Sequence, residues 1–590
     1  MKILATIAAV LVLLRPTAAI PQAQEKKVTI EGVVTRVDNG QPIAGAQLMI
    51  SRLATNAQGT LTRVEVTPRP VGTVTRGSAS VRSNVLTDAS GKFLFTELDP
   101  GIYRIIATAA GYVRQEYGQR SAAAGVGTGT LIDLTSGQNL KDAAIRLTPT
   151  GTVRGRLLND TGQPAVGVPV RLLHYPFDAL GNTTLRQVAL GTSNDRGEYR
   201  IYDILPGRYY LAAGNGAGPL PSVRQAPSIV YGSRYFPGVD DLRQASAIDI
   251  KPGGEAVSDM NVARLQPRTI RGRVVDVTGT ATASNASTFT FTLYYAWDSS
   301  NTIDGCGCFN AARSYDASTG SFEIQNVAPG SYKLKVSWPD ATQQAALAAG
   351  ARLDPTRVET STEAFITVGD SDIENVILTF APLVPVTGKM TVEGQPLPTA
   401  PPQRLRLQYQ RSTKAVVDSI GSAAQASVLA DGTFRLEAIQ PGEYRVSVVG
   451  VPTTHYVKTL QFNGQDLLTG PMLLSDSAGS GIALVLSSDA GQVRGVVSDA
   501  AARPVGGVPA VIVPETKRPD LYRNVATDQN GQFTFSGVAP GEYKVFAWDG
   551  MEPFRYFDPD FMKLHEARGK SIRVTAATVA TADVQVIPVE

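Results

Sequence analysis

One stretch is written five times along this chain, and it limits what the chain can fold into. Its last copy is Asp528–Val545, DQNGQFTFSGVAPGEYKV; the others begin at Asp88, Asp195, Asp316 and Asp431. In each copy a glycine is followed nine residues later by Pro-Gly, and a tyrosine stands two residues after that second glycine. The pairs are Gly91/Tyr103, Gly197/Tyr209, Gly320/Tyr332, Gly432/Tyr444 and Gly531/Tyr543. Between glycine and Pro-Gly, apolar residues alternate with period two, as in Phe533/Phe535, Phe93/Phe95 and Tyr199/Ile201. That period marks a strand with one buried face. The aspartate and glycine before it predict a hairpin, with aspartate bonding its own downstream backbone and glycine taking positive φ. Asp316 stands one residue further from its glycine, and Asp431 abuts Gly432, so the turn varies there. Pro-Gly predicts a type II turn with positive φ at the glycine. The tyrosine then opens the next strand facing inward, with its hydroxyl expected to bond back to the turn backbone.

A second signature, apolar-x-Gly-x-apolar, opens each unit at Gly32, Gly155, Gly272, Gly388 and Gly495. A glycine inside a strand points to a bulge or to close approach of another backbone. These glycines lie 123, 117, 116 and 107 positions apart, a domain-sized period longer than a solenoid repeat. In three units a Pro and a second Gly follow (Pro42/Gly45, Pro164/Gly167, Pro504/Gly507). The expected boundaries are a leader at 1–23 and β-sandwiches at 24–149, 150–267, 268–383, 384–490 and 491–590. The short joints carry prolines such as Pro149, Pro267 and Pro382, which restrict hinge motion. Five such units end to end predict a monomeric rod on the order of 150–200 Å long.

The paired signatures resemble the carboxypeptidase regulatory-like domains of secreted bacterial multidomain proteins. Tyr456-Val457-Lys458, Gly464-Gln465-Asp466, Ala490-Gly491-Gln492-Val493 and Phe557-Asp558-Pro559 carry the likeness most strongly. The resemblance implies an all-β chain, a tandem array of five antiparallel, seven-stranded β-sandwiches. Their fold would be prealbumin-like (transthyretin-like), of the carbohydrate-binding-like kind. It implies export but no activity; the domain takes its name from a module beside a zinc peptidase, and no peptidase domain is evident in this sequence.

The N-terminal residues fit an export signal. Lys2 precedes the apolar run Ile3–Leu14, small residues follow, and cleavage after Ala19 or after Ala23 fits equally. The formal charge is +3, and loss of Lys2 and Arg15 with the leader leaves +1. A near-neutral chain without basic clusters is a poor nucleic-acid or anionic-membrane binder, and no later apolar run is long enough to span a bilayer. The expected location is periplasmic, cell-surface or extracellular.

Reaction chemistry is hard to assemble from this sequence. The three histidines, His174, His455 and His565, fall in different units, whereas catalytic zinc takes three protein ligands. No His-Glu-x-x-His, Gly-x-Ser-x-Gly or phosphate-cradling loop occurs. The only cysteines, Cys306 and Cys308, are two thiols without further ligands; in an oxidising compartment they could staple a loop as a small strained disulfide, and a redox role is the alternative. The residues Asp528-x-Asn530-Gly531 read as turn chemistry rather than a calcium loop. We therefore expect no enzyme, no cofactor and no metal.

Aromatic residues remain as candidate ligand contacts: Trp548, Phe554, Tyr556 and Phe557 in unit five, and Tyr231, Tyr235 and Phe236 in unit two. Alternation sets Trp548 with Phe546 on the strand face opposite Tyr543. Two readings of this cluster stand open: a platform for sugar rings, or a segment folding back to cover an edge of the sandwich. Trp338 is expected in a core, and 341–353 as a short surface helix. The functional expectation is a non-catalytic exported binding or adhesion protein for polysaccharide or envelope protein. The alternatives are a structural spacer of the envelope and, third, an enzyme with a site between domains.

Overall fold

Each copy of the signature becomes a strand of one sheet and the crossing into a second. The computed structural model describes residues 26–55, 61–64, 84–125, 128–179, 181, 183, 185–214, 230–276, 289–295, 309–310, 314–338, 360–380, 384–393, 406–411, 424–439, 441–475, 481–516 and 518–589. The leader, both cysteines, most of the insertion at 54–85 and the segment 341–353 lie outside the described residues, as does the Trp338 side chain. In the first unit, Val28–Arg36 is flanked by Lys92–Leu98 and Asn139–Leu147 in one sheet, and Gln47–Thr55 pairs with Gly101–Thr108 in the other. Phe93, Phe95 and Leu98 meet Leu48, Ile50 and Tyr103 in one buried cluster between the sheets. The same plan surrounds the other four copies. Strand pairing is mostly antiparallel, but the first strand of each unit runs parallel to a closing segment, as Val28–Arg36 does to Asn139–Leu147, and Gly541–Asp549 runs parallel to Ile587–Pro588.

The strand glycines lie where another backbone comes close. A Cβ built on Gly32 would stand 2.0 Å from the Ala143 carbonyl oxygen, and one on Gly495 2.0 Å from that of Ala582. Opposite each glycine in the ladder stands an aromatic residue, Phe93, Tyr199, Phe322, Phe434 or Phe533. The glycine leaves room for that ring and for the closing segment together. The hairpin glycines also behave as expected, with φ of 73° at Gly91 and 72° at Gly531. Asp528 Oδ1 accepts from the backbone N–H of Asn530 at 2.9 Å and of Gln532 at 2.8 Å. In the second copy the turn carboxamide is Asn194, not Asp195: Asn194 Oδ1 accepts from Arg196 and Glu198, both at 2.9 Å. A carboxamide oxygen caps this turn as well as a carboxylate does.

The tyrosine hydroxyls close the crossing. Tyr543 and Tyr332 donate to the carbonyls of Ala539 and Ala328 at 2.8 Å, Tyr209 to that of Leu205 at 2.6 Å, and Tyr103 to that of Asp99. The expected type II turn is corrected. The glycine of Pro-Gly already begins the next strand, and the left-handed residue lies three positions before the proline: Glu97 (φ 56°), Asp203 (57°), Asn326 (64°) and Gly537 (68°). There the ladder slips by one residue, for example between Gly491↔Val538 and Val493↔Phe535. This is a β-bulge, which bends the strand into its crossing.

The linear rod is contradicted. Arg120 of unit one forms a two-point ion pair with Asp549 of unit five, 429 positions away, both contacts at 2.7 Å. His174 of unit two lies 3.1 Å from Glu552, and Arg518 donates to the Val457 carbonyl of unit four at 3.1 Å. Leu173, Ala212 and Tyr235 of unit two share a buried cluster with Phe291 and Tyr332 of unit three. The cause is sheets apolar on both faces. Leu172 and Leu173, on opposite faces of one strand, are both wholly buried, as are the apolar residues Val545–Trp548, and an outer face carrying such side chains is stable only when covered.

Candidate binding site

The strand Gly541–Asp549 carries Tyr543, Val545 and Ala547 into the sandwich core of unit five and turns Phe546 and Trp548 to its other face. The following segment folds back over that second face and buries Met551, Tyr556 and Phe561 on it. Asp558 caps the helix Pro559–His565, accepting from the Asp560 N–H at 2.9 Å, which fixes the turn that presents Phe561 to Trp548. The Phe546 and Trp548 rings stack at 4.9 Å, and Trp548 is wholly buried. Tyr556 accepts a hydrogen bond from Asn524 at 2.8 Å, and burial pushes its phenol up to about 12.

The sugar-platform reading is thereby corrected for Trp548 and Tyr556, which are interior residues. Tyr235 is buried as well, in the cluster shared with unit three. Tyr231 and Phe236 are half-buried against the core of unit two. Phe554 and Phe557 are half-buried at the rim of the covering segment. The Phe557 ring lies 4.5 Å from that of Tyr522 and packs close to Gly181 of unit two.

What this cover creates instead is a set of clefts between units. One, of about 240 Å³, lies where unit one meets unit five. Arg120, Ser121 and Thr128 form one wall, and Asn524, Met551 and Phe554 the other. The Asp549 carboxylate beside Arg120 raises that guanidinium above its usual range. A second cleft, of about 570 Å³, lies where unit four meets unit five, between Leu468 and Thr469 on one side and Tyr522 and Arg523 on the other. Its size is that of a small-ligand site.

The histidines are separate, each with its own partner. His174 meets Glu552, His455 shares a hydrogen bond with Thr454 at 2.8 Å, and His565 packs on Phe561. Burial holds His565 below the usual imidazole range, with Arg568 and Arg555 adding to the shift. Among the described residues, no group of three or more His, Cys, Asp or Glu side chains is placed to hold a metal ion, and no helix is long and apolar enough to cross a membrane. Shape, hydrogen bonds and charge are what the clefts offer a ligand. Arg120 and Asp549 escaped sequence reasoning because partners in different units carry no spacing rule, and Arg523 because its partners are main-chain carbonyls, which no residue type reveals. The unbroken apolar run at Val545–Trp548 was the available signal that this face is covered.

Residues 29–135 and 492–586, in the first and last units, match the carboxypeptidase regulatory-like domain. No curated protein matches this chain. Among solved structures it is similar to the minor pilin of Streptococcus agalactiae, with 15% identity over 41% of this chain and 96% of that one, at a TM-score of 0.21. It is also similar to the shaft pilin of Lactobacillus rhamnosus GG (10% identity, 41% and 98% covered, TM-score 0.19). A third similarity is to the Bacillus anthracis TIE protein (11% identity, 80% and 76% covered, TM-score 0.16).

Proposed function

We propose that this chain, with carboxypeptidase regulatory-like domains at both ends of a five-unit array, is an exported, non-catalytic binding or adhesion protein. Its leader at 1–23 directs export to the periplasm, cell surface or medium, and the mature chain acts as a monomer. The partner is a polysaccharide or an envelope protein, held in clefts between units rather than on an exposed ring platform. The supporting observation is the docking of unit five against units one, two and four, which gathers loops of distant units around concave surfaces. Many weak contacts made by one array would add up through effective concentration. Incubating the mature protein with envelope polysaccharide and with envelope protein tests this. Retention on one of them supports the reading, and passage through every surface overturns it.

A second reading, a structural scaffold of the envelope, is favoured by the Arg120–Asp549 pair, which fixes the two end units relative to each other. A scaffold would retain no free ligand, yet its removal would alter the spacing of envelope layers.

A further inference from the structure

We infer that the cleft between the fourth and fifth units binds the carboxylate of an acidic saccharide, with the Arg523 guanidinium as anchor. The inference deepens the binding reading above and rests on it. Arg523 is held in place by main-chain oxygens: Nη1 donates to the carbonyls of Asp520 at 2.6 Å and Tyr522 at 2.8 Å, and Nη2 reaches that of Gly537 at 3.4 Å. Carbonyls orient a guanidinium without neutralising it. The nearby carboxylate, Asp520, is engaged elsewhere, accepting from Arg518 Nε at 3.1 Å and Nη2 at 2.6 Å. Among the described residues Arg523 therefore has no carboxylate within ion-pair distance.

A charge taken out of water needs a counter-charge. Burial pulls the Arg523 pKa downward, and the charge of Asp520 offsets that pull only in part. Arg445, exposed and on the same cleft, adds a second positive charge at its wall. The anion this arrangement calls for is planar and bidentate, and a carboxylate matches the guanidinium fork.

The rest of the cleft decides what body carries the carboxylate. Ser447 and Tyr522 line the cleft with hydroxyl-bearing side chains beside the apolar Val448 and Leu468, while the Thr469 hydroxyl is already donated to Asp466 at 2.9 Å. An aliphatic chain would leave such hydroxyls without partners at a cost in affinity, whereas a sugar ring supplies hydroxyls to meet them and an apolar face for the leucine and tyrosine. A volume of about 570 Å³ accommodates a short oligosaccharide rather than a single small ion.

The probe is trigalacturonate, titrated calorimetrically against the mature protein, with fully methyl-esterified trigalacturonate and decanoate alongside. The expected result is binding of the acid, at least tenfold weaker binding of the ester, and weaker binding of decanoate than of the acid. Arg523→Lys should weaken the acid at least fivefold by removing the fork. Arg445→Glu, on an exposed side chain that folding does not need, should weaken it about tenfold. No binding of the acid, equal binding of acid and ester, tighter binding of decanoate, or indifference to both substitutions would overturn the inference. The two failures separate cleanly. Retention on envelope polymers that Arg445→Glu leaves intact removes this site and spares the adhesion reading. Trigalacturonate binding with no retention anywhere does the reverse.

Discussion

Tyr543 fills the core of unit five with its ring and ties the crossing loop to the next strand with its hydroxyl, bonded to the Ala539 carbonyl at 2.8 Å. The two roles separate by substitution. Tyr543→Phe should cost about 1 kcal/mol, the net worth of a hydrogen bond, while Tyr543→Ala should cost about 3–5 kcal/mol through the cavity it leaves; chemical denaturation measures both. Burial pushes the Tyr543 and Tyr209 phenols up to about 12, against about 10 in an unfolded chain. Their folded pKa values are raised, so this contribution is complete below pH 10 and is lost as pH rises towards 12. Phenolate absorbance should therefore lag behind that of free tyrosine in alkaline titration and jump with unfolding. At Gly495 the constraint is space. Gly495→Ala should destabilise by about 1–3 kcal/mol or more through overpacking against Ala582, whereas Gly369→Ala, with nothing near its built Cβ, should be nearly silent in the same melt. Both the inward tyrosine and the strand glycine were legible in the sequence, because one residue type repeats at one place for one steric reason.

At the scale of the element, the strands and hairpins followed from alternation, but the bulge before Pro-Gly did not. Its left-handed position is held by Glu97, Asp203, Asn326 and Gly537; Gly, Asn and Asp tolerate that conformation and Glu does not favour it, so the four share no visible signature. A second device was equally hidden. Thr527 Oγ1 donates to the Val505 carbonyl at 2.8 Å and accepts from the Val508 N–H at 3.0 Å, tying the loop after Pro504 to the hairpin. Thr87 and Ser193 do the same in units one and two. These are the three units with the Pro and second Gly, so loop and hydroxyl form one device. Thr527→Val keeps the shape and removes the hydrogen bonds, leaving two buried main-chain groups unpaired. A loss of about 1–3 kcal/mol is expected in thermal unfolding, with Thr527→Ser recovering most of it.

For the whole molecule, the period of the repeats placed the copies of the signature along the chain but did not show how they meet. A linear row was the simplest arrangement of short proline-bearing joints, and it fails because Arg120 and Asp549 are partners that no local pattern links. The same blindness applies to the clefts, whose walls come from different units. The aromatic cluster shows the limit at its sharpest: periodicity put Trp548 on the correct face, yet only the fold shows that residues 551–561 return to bury it. Small-angle scattering of the mature protein, compared with Arg120→Glu, tests most directly whether the end units dock and so shape the clefts. The contacts described predict a largest dimension well below the roughly 150–200 Å of five units in a row, with a clear increase when the charge at position 120 is reversed. A wild-type particle already as long as such a row, and unchanged by the substitution, would contradict it.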